Sequence, residues 1–330
     1  MQLFFGRQSL ISGILFLTIT IVAAQESPAV KRWPTIYKPK TKAKIVTLQR
    51  GDETRPYIYH TRHFELRSPI ALSRRHLEKF ATVAESVPEV ISRIPLPLLG
   101  MPPGGRAKVL IFPDEDSFIK AGGVQGAAGY YSGKKAAIML RADTFLHPPT
   151  AGSRLPPKAD YDLLVHEFVH LCMHRHLGYL PIWFSEGVAE YFAAAHTDFG
   201  VYRFDHILQS IRNRVKQALA HENNLLTLPG VVETMALTPK TWQNRIVNGK
   251  AVDSYRMYGS SLLIVHALFH GGTKRRDATR TFLQNINARK PAANQVELLI
   301  PTKERNQLQK RITTYWRPRG LRLEFNTASD

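Results

Sequence analysis

The apolar pattern changes period about halfway along the chain. Short runs with strand character come first: KIVTLQ (44–49), YIYHT (57–61) and HFELRS (63–68). Residues 72–93 then carry Leu77, Phe80, Ala81, Ala84 and Val87 at helical spacing, which predicts an amphipathic helix ended by LPLLGMPPGG. AKVLIF (107–112) reads as a buried strand, followed by a short helix from Asp114 to Ala121. The glycines of GVQGAAGYYSG predict a loop running into a further strand, AAIMLRA (136–142). HPPTAGSRLPPK is another loop, and after Asp160 the pattern is almost wholly helical as far as KRITTYWRPRG. No internal repeat interrupts this order. The expectation is one α+β domain, with residues 45–150 as its α+β N-terminal part and 159–320 as its helical part. Residues 25–44, rich in Pro and Lys, read as an extended lead-in, and 321–330 as a polar tail.

The first residues change the picture of where the chain works. Arg7 is a positive n-region, Leu10–Ala24 is apolar, and Val22 and Ala24 occupy small-residue cleavage positions before Gln25. This pattern predicts a signal peptide over 1–24, cleaved near Ala24, and an exported periplasmic or extracellular protein. The apolar run is short for a membrane span, and no later stretch approaches the required length, so no transmembrane segment is expected after cleavage. Losing residues 1–24 removes Arg7 alone among charged residues and takes the formal net charge from +19 to +18. Such an excess suits an anionic surface, but the basic residues are scattered without interleaved aromatics, so no specific nucleic-acid partner is expected. Cys172 is the single cysteine, which rules out an intrachain disulfide.

The chemistry is concentrated in LLVHEFVHLC (163–172). Burying imidazoles and a carboxylate costs free energy unless they are paired. His166 and His170 are one turn apart and share a helix face, so both can ligate a single Zn²⁺. Asp160 and Asp162 suit the start of that helix, and Gly178 with Pro181 its end. Glu167, beside the first histidine, falls where a carboxylate can reach a metal-bound water; this is the HExxH pattern of zinc hydrolases. Downstream, in PIWFSEGVAEYF (181–192), Glu186 and Glu190 again share a face, among Trp183, Phe184, Val188, Ala189, Tyr191 and Phe192, which favours their burial. Gly187 would let this helix approach another backbone closely.

HEFVH followed by WFSEGVAEYF resembles the gluzincin zinc peptidases. The resemblance implies a thermolysin-like catalytic domain with a mixed sheet in its N-terminal part and one catalytic Zn²⁺. Glu186 would be the third metal ligand, on the helix after the histidines, and Glu190 would hydrogen-bond a ligating histidine. His176 has the offset of the third histidine in the related metzincins, but the glycine of their pattern is Met173 here, and Glu186 is preferred. His174 and His176 are then expected to be exposed or to lie outside the ligand set. YRMYGSSLLIVHALFH (255–270) resembles a helix found in a group of exported gluzincin-like proteins, which implies that Tyr258 lies near the metal and can act as an oxyanion donor. His266 is a second, weaker candidate for that donor. AAIMLRA would be the strand edging the substrate cleft.

The expected function is that of an exported zinc metallopeptidase acting on a peptide or protein, with Glu167 as general base. The alternatives are a non-catalytic basic binding protein on a peptidase-like scaffold, or a zinc amidase acting on another amide.

Overall fold

The computed structural model describes residues 32–52, 54–147, 158–159, 161–218, 225–290 and 292–326. The signal-peptide expectation lies outside them. The first strand, β1 (Ile36–Tyr37), pairs much later in the chain. It is followed by β2 (Val46–Gln49), β3 (Tyr57–His60) and β4 (Phe64–Ser68), then helix α1 (Arg74–Arg93), β5 (Ala107–Phe112) and α2 (Glu115–Lys120). Next come β6 (Gly129–Ser132), β7 (Ala137–Arg141), α3 (Ala142–Phe145) and the short pair β8 (Leu146–His147) and β9 (Lys158–Ala159).

Strands β2 to β7 form one six-stranded mixed sheet in the order β2-β3-β4-β5-β7-β6. Its centre, β4-β5-β7, is parallel, and its flanking pairs are antiparallel. Alternation sets which face is covered: Phe64 and Leu66 of β4, and Val109 and Ile111 of β5, are buried in the main core. On the opposite face of β5, Phe112 meets Phe118 of α2 edge-on. Ser73 caps α1 by accepting from the amide of His76. The apolar stripe of α1 buries Leu77, Phe80, Ala84 and Val87, as its spacing predicts.

The second half supplies α4 (Tyr161–Cys172), α5 (His174–Leu177), α6 (Ile182–Ala195), β10 (His196–Asp198), β11 (Val201–Arg203) and α7 (Ile207–Ala218). After these come β12 (Leu225–Pro229), α8 (Val231–Ala236), α9 (Pro239–Asn248), α10 (Ala251–His270), α11 (Thr273–Asn287), α12 (Ala292–Leu299), α13 (Thr302–Trp316) and β13 (Arg322–Asn326). Phe168 of α4 wedges between Phe64 of β4 and Phe80 of α1, joining the metal-candidate helix to the sheet layer. Helix α6 packs on both α4 and α10. Gly187 permits that approach, because a Cβ there would stand 2.4 Å from the carbonyl oxygen of Ser261 and 2.6 Å from Cγ2 of Val265.

The molecule is therefore mixed α+β with a mixed sheet. Three local expectations need correction. The stretch read as a glycine-rich loop contains β6, and β6 rather than AAIMLRA is the sheet edge; β7 is paired on both sides. The helical half also holds β10, β11 and β12, and the expected polar tail contains β13, which runs parallel to β12 from Leu225↔Arg322 to Pro229↔Asn326. The lead-in is docked where it is described: β1 pairs with β11, and the Trp33 ring lies 4.9 Å from that of His270 and 5.9 Å from that of Tyr191. Among the described residues, no helix is long and apolar enough to cross a membrane.

Candidate metal centre

Helix α4 carries its polar residues inside the protein: His166, Glu167 and His170 are 7%, 6% and 7% exposed. The helix breaks at Met173, before the Gly178 expected to end it, and a short helix, α5, follows. Pro181 is the N-cap of α6, and it sets Glu186 and Glu190 one turn apart facing α4.

The facing atoms converge. Glu186 Oε2 lies 3.2 Å from His166 Nε2 and 3.3 Å from His170 Nε2, and the two imidazole nitrogens are 3.1 Å apart. Ligand atoms at about 2.0–2.1 Å on a tetrahedral Zn²⁺ stand roughly 3.3–3.4 Å from one another, so the triangle has the size of one face of such a site. Among the described residues, these three are the group of His, Cys, Asp and Glu side chains that could hold a metal. His166 Nδ1 is already engaged with Glu190 Oε1 at 2.9 Å, which leaves Nε2 as the nitrogen presented to the centre. Glu190 is in turn gripped by Arg214 of α7, whose Nε and second guanidinium nitrogen bond its two oxygens.

The electrostatics describe a place that demands positive charge. Burial alone would lower the pKa of His166, yet its bonds to Glu186 and Glu190 push it up to about 10. Burial would raise Glu186, but His170 and His166 hold it down to about 2. Glu190, despite its burial, is held far below the usual carboxylate range by Arg214 and His166.

Glu167 is different. Its pKa is raised by burial, only partly offset by His166 and His170, and the residue lies beside β6, where an added Cβ on Gly129 would stand 3.5 Å from its Cγ. Tyr258 of α10 stands edge-on to His166, with ring centroids 5.9 Å apart, and edge-on to Trp242 of α9 at 5.4 Å. Burial, and then the charges of Glu186, Glu167 and Glu190, keep its phenol protonated far above its ordinary pKa.

The structure thus brings together every residue expected at the centre: His166, Glu167, His170, Glu186, Glu190 and Tyr258. Four others lie elsewhere. His266 lies against Trp316, Tyr315 and His270, away from these carboxylates. His176 is buried rather than exposed, packed against Gly100, where an added Cβ would stand 2.5 Å from its Nε2. Cys172 is fully buried and unpaired, with burial pushing its thiol pKa up. His174 Nδ1 is 2.5 Å from the Tyr131 hydroxyl.

Arg214 and Tyr131 were not foreseen. Arg214 sits on an amphipathic helix whose sequence gives no hint of its partner. Tyr131 lies in GYYSG, where the only signal for a strand was two tyrosines between glycines. Compared with known proteins, the sequence matches no family model and no curated protein.

Proposed function

We propose that this chain is an exported zinc metallopeptidase of gluzincin type, cleaving peptide bonds in a peptide or protein substrate. The observation that carries this reading is the convergence of His166, His170 and Glu186 with a separate, raised-pKa carboxylate, Glu167, beside them. Two imidazoles and one carboxylate form a three-ligand donor set suited to catalytic zinc. Bound there, zinc would supply Lewis acidity toward the scissile carbonyl and toward water. Glu167 takes the proton of the attacking water and passes it to the leaving amine. A carboxylate whose pKa burial has raised is a better proton acceptor than a solvated one, which suits this double role. The Tyr258 hydroxyl, kept protonated by burial and the neighbouring carboxylates, would donate to the developing oxyanion. Glu190, backed by Arg214, fixes the orientation of His166.

The free edge of β6 lies next to Glu167, since an added Cβ on Gly129 would be 3.5 Å from Glu167 Cγ. An extended substrate can add to such an edge by main-chain pairing. A purely binding role has no use for a buried carboxylate poised beside the metal triangle, which costs stability without ligating.

Glu167→Gln is expected to retain stoichiometric zinc and to lose hydrolysis of a mixed peptide library by at least about 10³-fold. Zinc content by atomic absorption and mass-spectrometric mapping of the digest measure the two effects. Chelator-resistant cleavage, or undiminished cleavage by the variant, would refute the mechanism; zinc bound without any cleavage by the wild type would favour the binding protein.

A further inference from the structure

Asp162, His166 and His170 follow one another at four-residue steps, so they share one face of α4. That face meets α6 in a regular order. His170 and His166 both touch Glu186, and His166 also touches Glu190 one turn later, so the two helices run antiparallel. The next contact in the series lies outside the metal triangle. Asp162, one turn before His166 and about 6 Å from it along the helix axis, meets His196, the C-cap of α6. Its Oδ1 stands 2.9 Å from His196 Nδ1, with the acid now on α4 and the imidazole at the end of α6.

Both nitrogens of His196 are engaged, and the residue is 7% exposed. Nε2 accepts from the amide of Gly200 at 3.3 Å, so the ring proton sits on Nδ1 and is donated to Asp162. Gly200 is itself seated on α1, since a Cβ there would stand 2.7 Å from Ser86 Oγ and 2.9 Å from the carbonyl oxygen of Thr82. The ring of Tyr202 lies 5.5 Å from the imidazole. His196 therefore has a fixed place at the end of α6, and Asp162 is the point at which α4 is tied to it.

The Asp162 side chain is half-exposed, so this bond adds little to overall stability. Its value is directional. Apolar packing between helices has no direction of its own, whereas metal ligands have to be placed to within about 0.2 Å. We infer that Asp162 and His196 form a positioning pair for the metal centre: they fix how far α4 slides along α6, and hence where His166 and His170 stand against Glu186. This rests on the reading of those three residues as zinc ligands, and it goes beyond that reading by giving a role to two residues outside the ligand set.

Zinc competition against a chromophoric chelator, on the full chain, tests the pair. Asp162→Ala and His196→Ala are each expected to weaken zinc binding about tenfold, the low end of what partners around a metal site are worth. The double variant is expected to lose no more than either alone. Asp162→Asn keeps an oxygen that accepts the same bond, so its affinity should stay within about twofold of wild type. Tyr37→Phe is the control: it removes the bond from the Tyr37 hydroxyl to Glu89, which ties β1 to α1 and joins neither α4 nor α6. It should leave zinc affinity unchanged even where urea unfolding shows an equal loss of stability. Because Asp162 is half-exposed, its replacement leaves the core intact and keeps the test decisive should His196→Ala fail to fold. Undiminished affinity in Asp162→Ala, equal losses in Asp162→Asn and Asp162→Ala, or an equal loss in Tyr37→Phe overturns the inference. Histidine-ring NMR supplies an arm that needs no metal: His196 is expected as the Nδ1–H tautomer, with that proton exchanging faster in Asp162→Ala. An Nε2–H tautomer overturns the pair whatever the zinc titrations give. A wild type that binds no zinc sinks the metal reading, and the tautomer still decides whether α4 is tied to α6.

Discussion

His166 and His170 on α4, and His266 and His270 on α10, are two pairs of histidines one helical turn apart and largely shielded from water. Their ring centroids are nearly equally spaced, 4.8 Å in the first pair and 5.0 Å in the second. What surrounds them differs. The α4 pair faces Glu186 and Glu190, and His166 is pushed up to about 10. The α10 pair faces rings: Tyr315 and Trp316 lie against His266, and Trp33 and Tyr191 against His270. There, burial pushes His266 down to about 3 and His270 down to about 4, with His270 and Arg319 adding to the effect on His266 and Arg276 to that on His270. The same spacing on the same kind of helix holds His166 above the ordinary histidine range and His266 and His270 below it. His-x-x-x-His alone sets two imidazoles side by side; only with the carboxylate of Glu186 on the neighbouring helix do His166 and His170 become part of a group that could hold a metal.

That contrast breaks most completely if a carboxylate is removed from the α4 side. Glu186→Ala is expected to weaken zinc binding by more than about 100-fold, since even partners outside the ligand set are worth roughly 10- to 100-fold. Competition against a chromophoric chelator measures it. Equal zinc affinity in Glu186→Ala and wild type would mean that the convergence of the three side chains is not the site. Glu190→Gln is the next smaller step: it keeps the shape of the side chain but loses the charge that Arg214 and His166 share. The expected loss is about 10- to 100-fold in the same titration, with one zinc still bound at saturation.

Much of this was legible from local pattern. The spacing of Leu77, Phe80, Ala84 and Val87 foretold α1 to within two residues, and AKVLIF foretold β5, because both elements are chosen by a strong alternation of apolar and polar side chains. The pairing of HEFVH with SEGVAE was legible because three costly polar groups in an apolar helix require partners. What local pattern does not carry is long-range pairing. β13 is a strand because β12, about a hundred residues earlier, offers it a parallel edge, and nothing in RLEFN announces that. β6 was hidden by its glycines, which read as a loop. Arg214 was hidden for a related reason: an arginine on a half-exposed helix acquires its role only from the carboxylate it reaches. His266 was read as a candidate donor because its helix was known and its facing helix, α13, was not.

The α10 pair offers the smallest and sharpest variation. His266 Nε2 is buried without a hydrogen-bond partner, so this imidazole is held neutral at a cost. His266→Leu removes that atom and keeps most of the apolar volume, so at pH 7.5 it is expected to change folding stability by no more than about 1 kcal/mol, toward greater stability. It should leave zinc affinity and Glu167-dependent cleavage as they are in the wild type. The pH dependence is where the variant separates from it. A histidine whose folded pKa lies below its unfolded value near 6.5 takes up more protons when unfolded, so it costs stability as pH falls below about 6.5 toward the folded values of about 3 and 4. Each such histidine contributes a slope approaching about 1.4 kcal/mol per pH unit in that window. Urea unfolding at pH 7.5, 5.5 and 4.5 should therefore show a shallower loss in His266→Leu than in wild type, by about the share of one histidine. Parallel curves for the two proteins would mean that His266 is protonated in the folded state after all, and the contrast between the two helices would then rest on His270 alone.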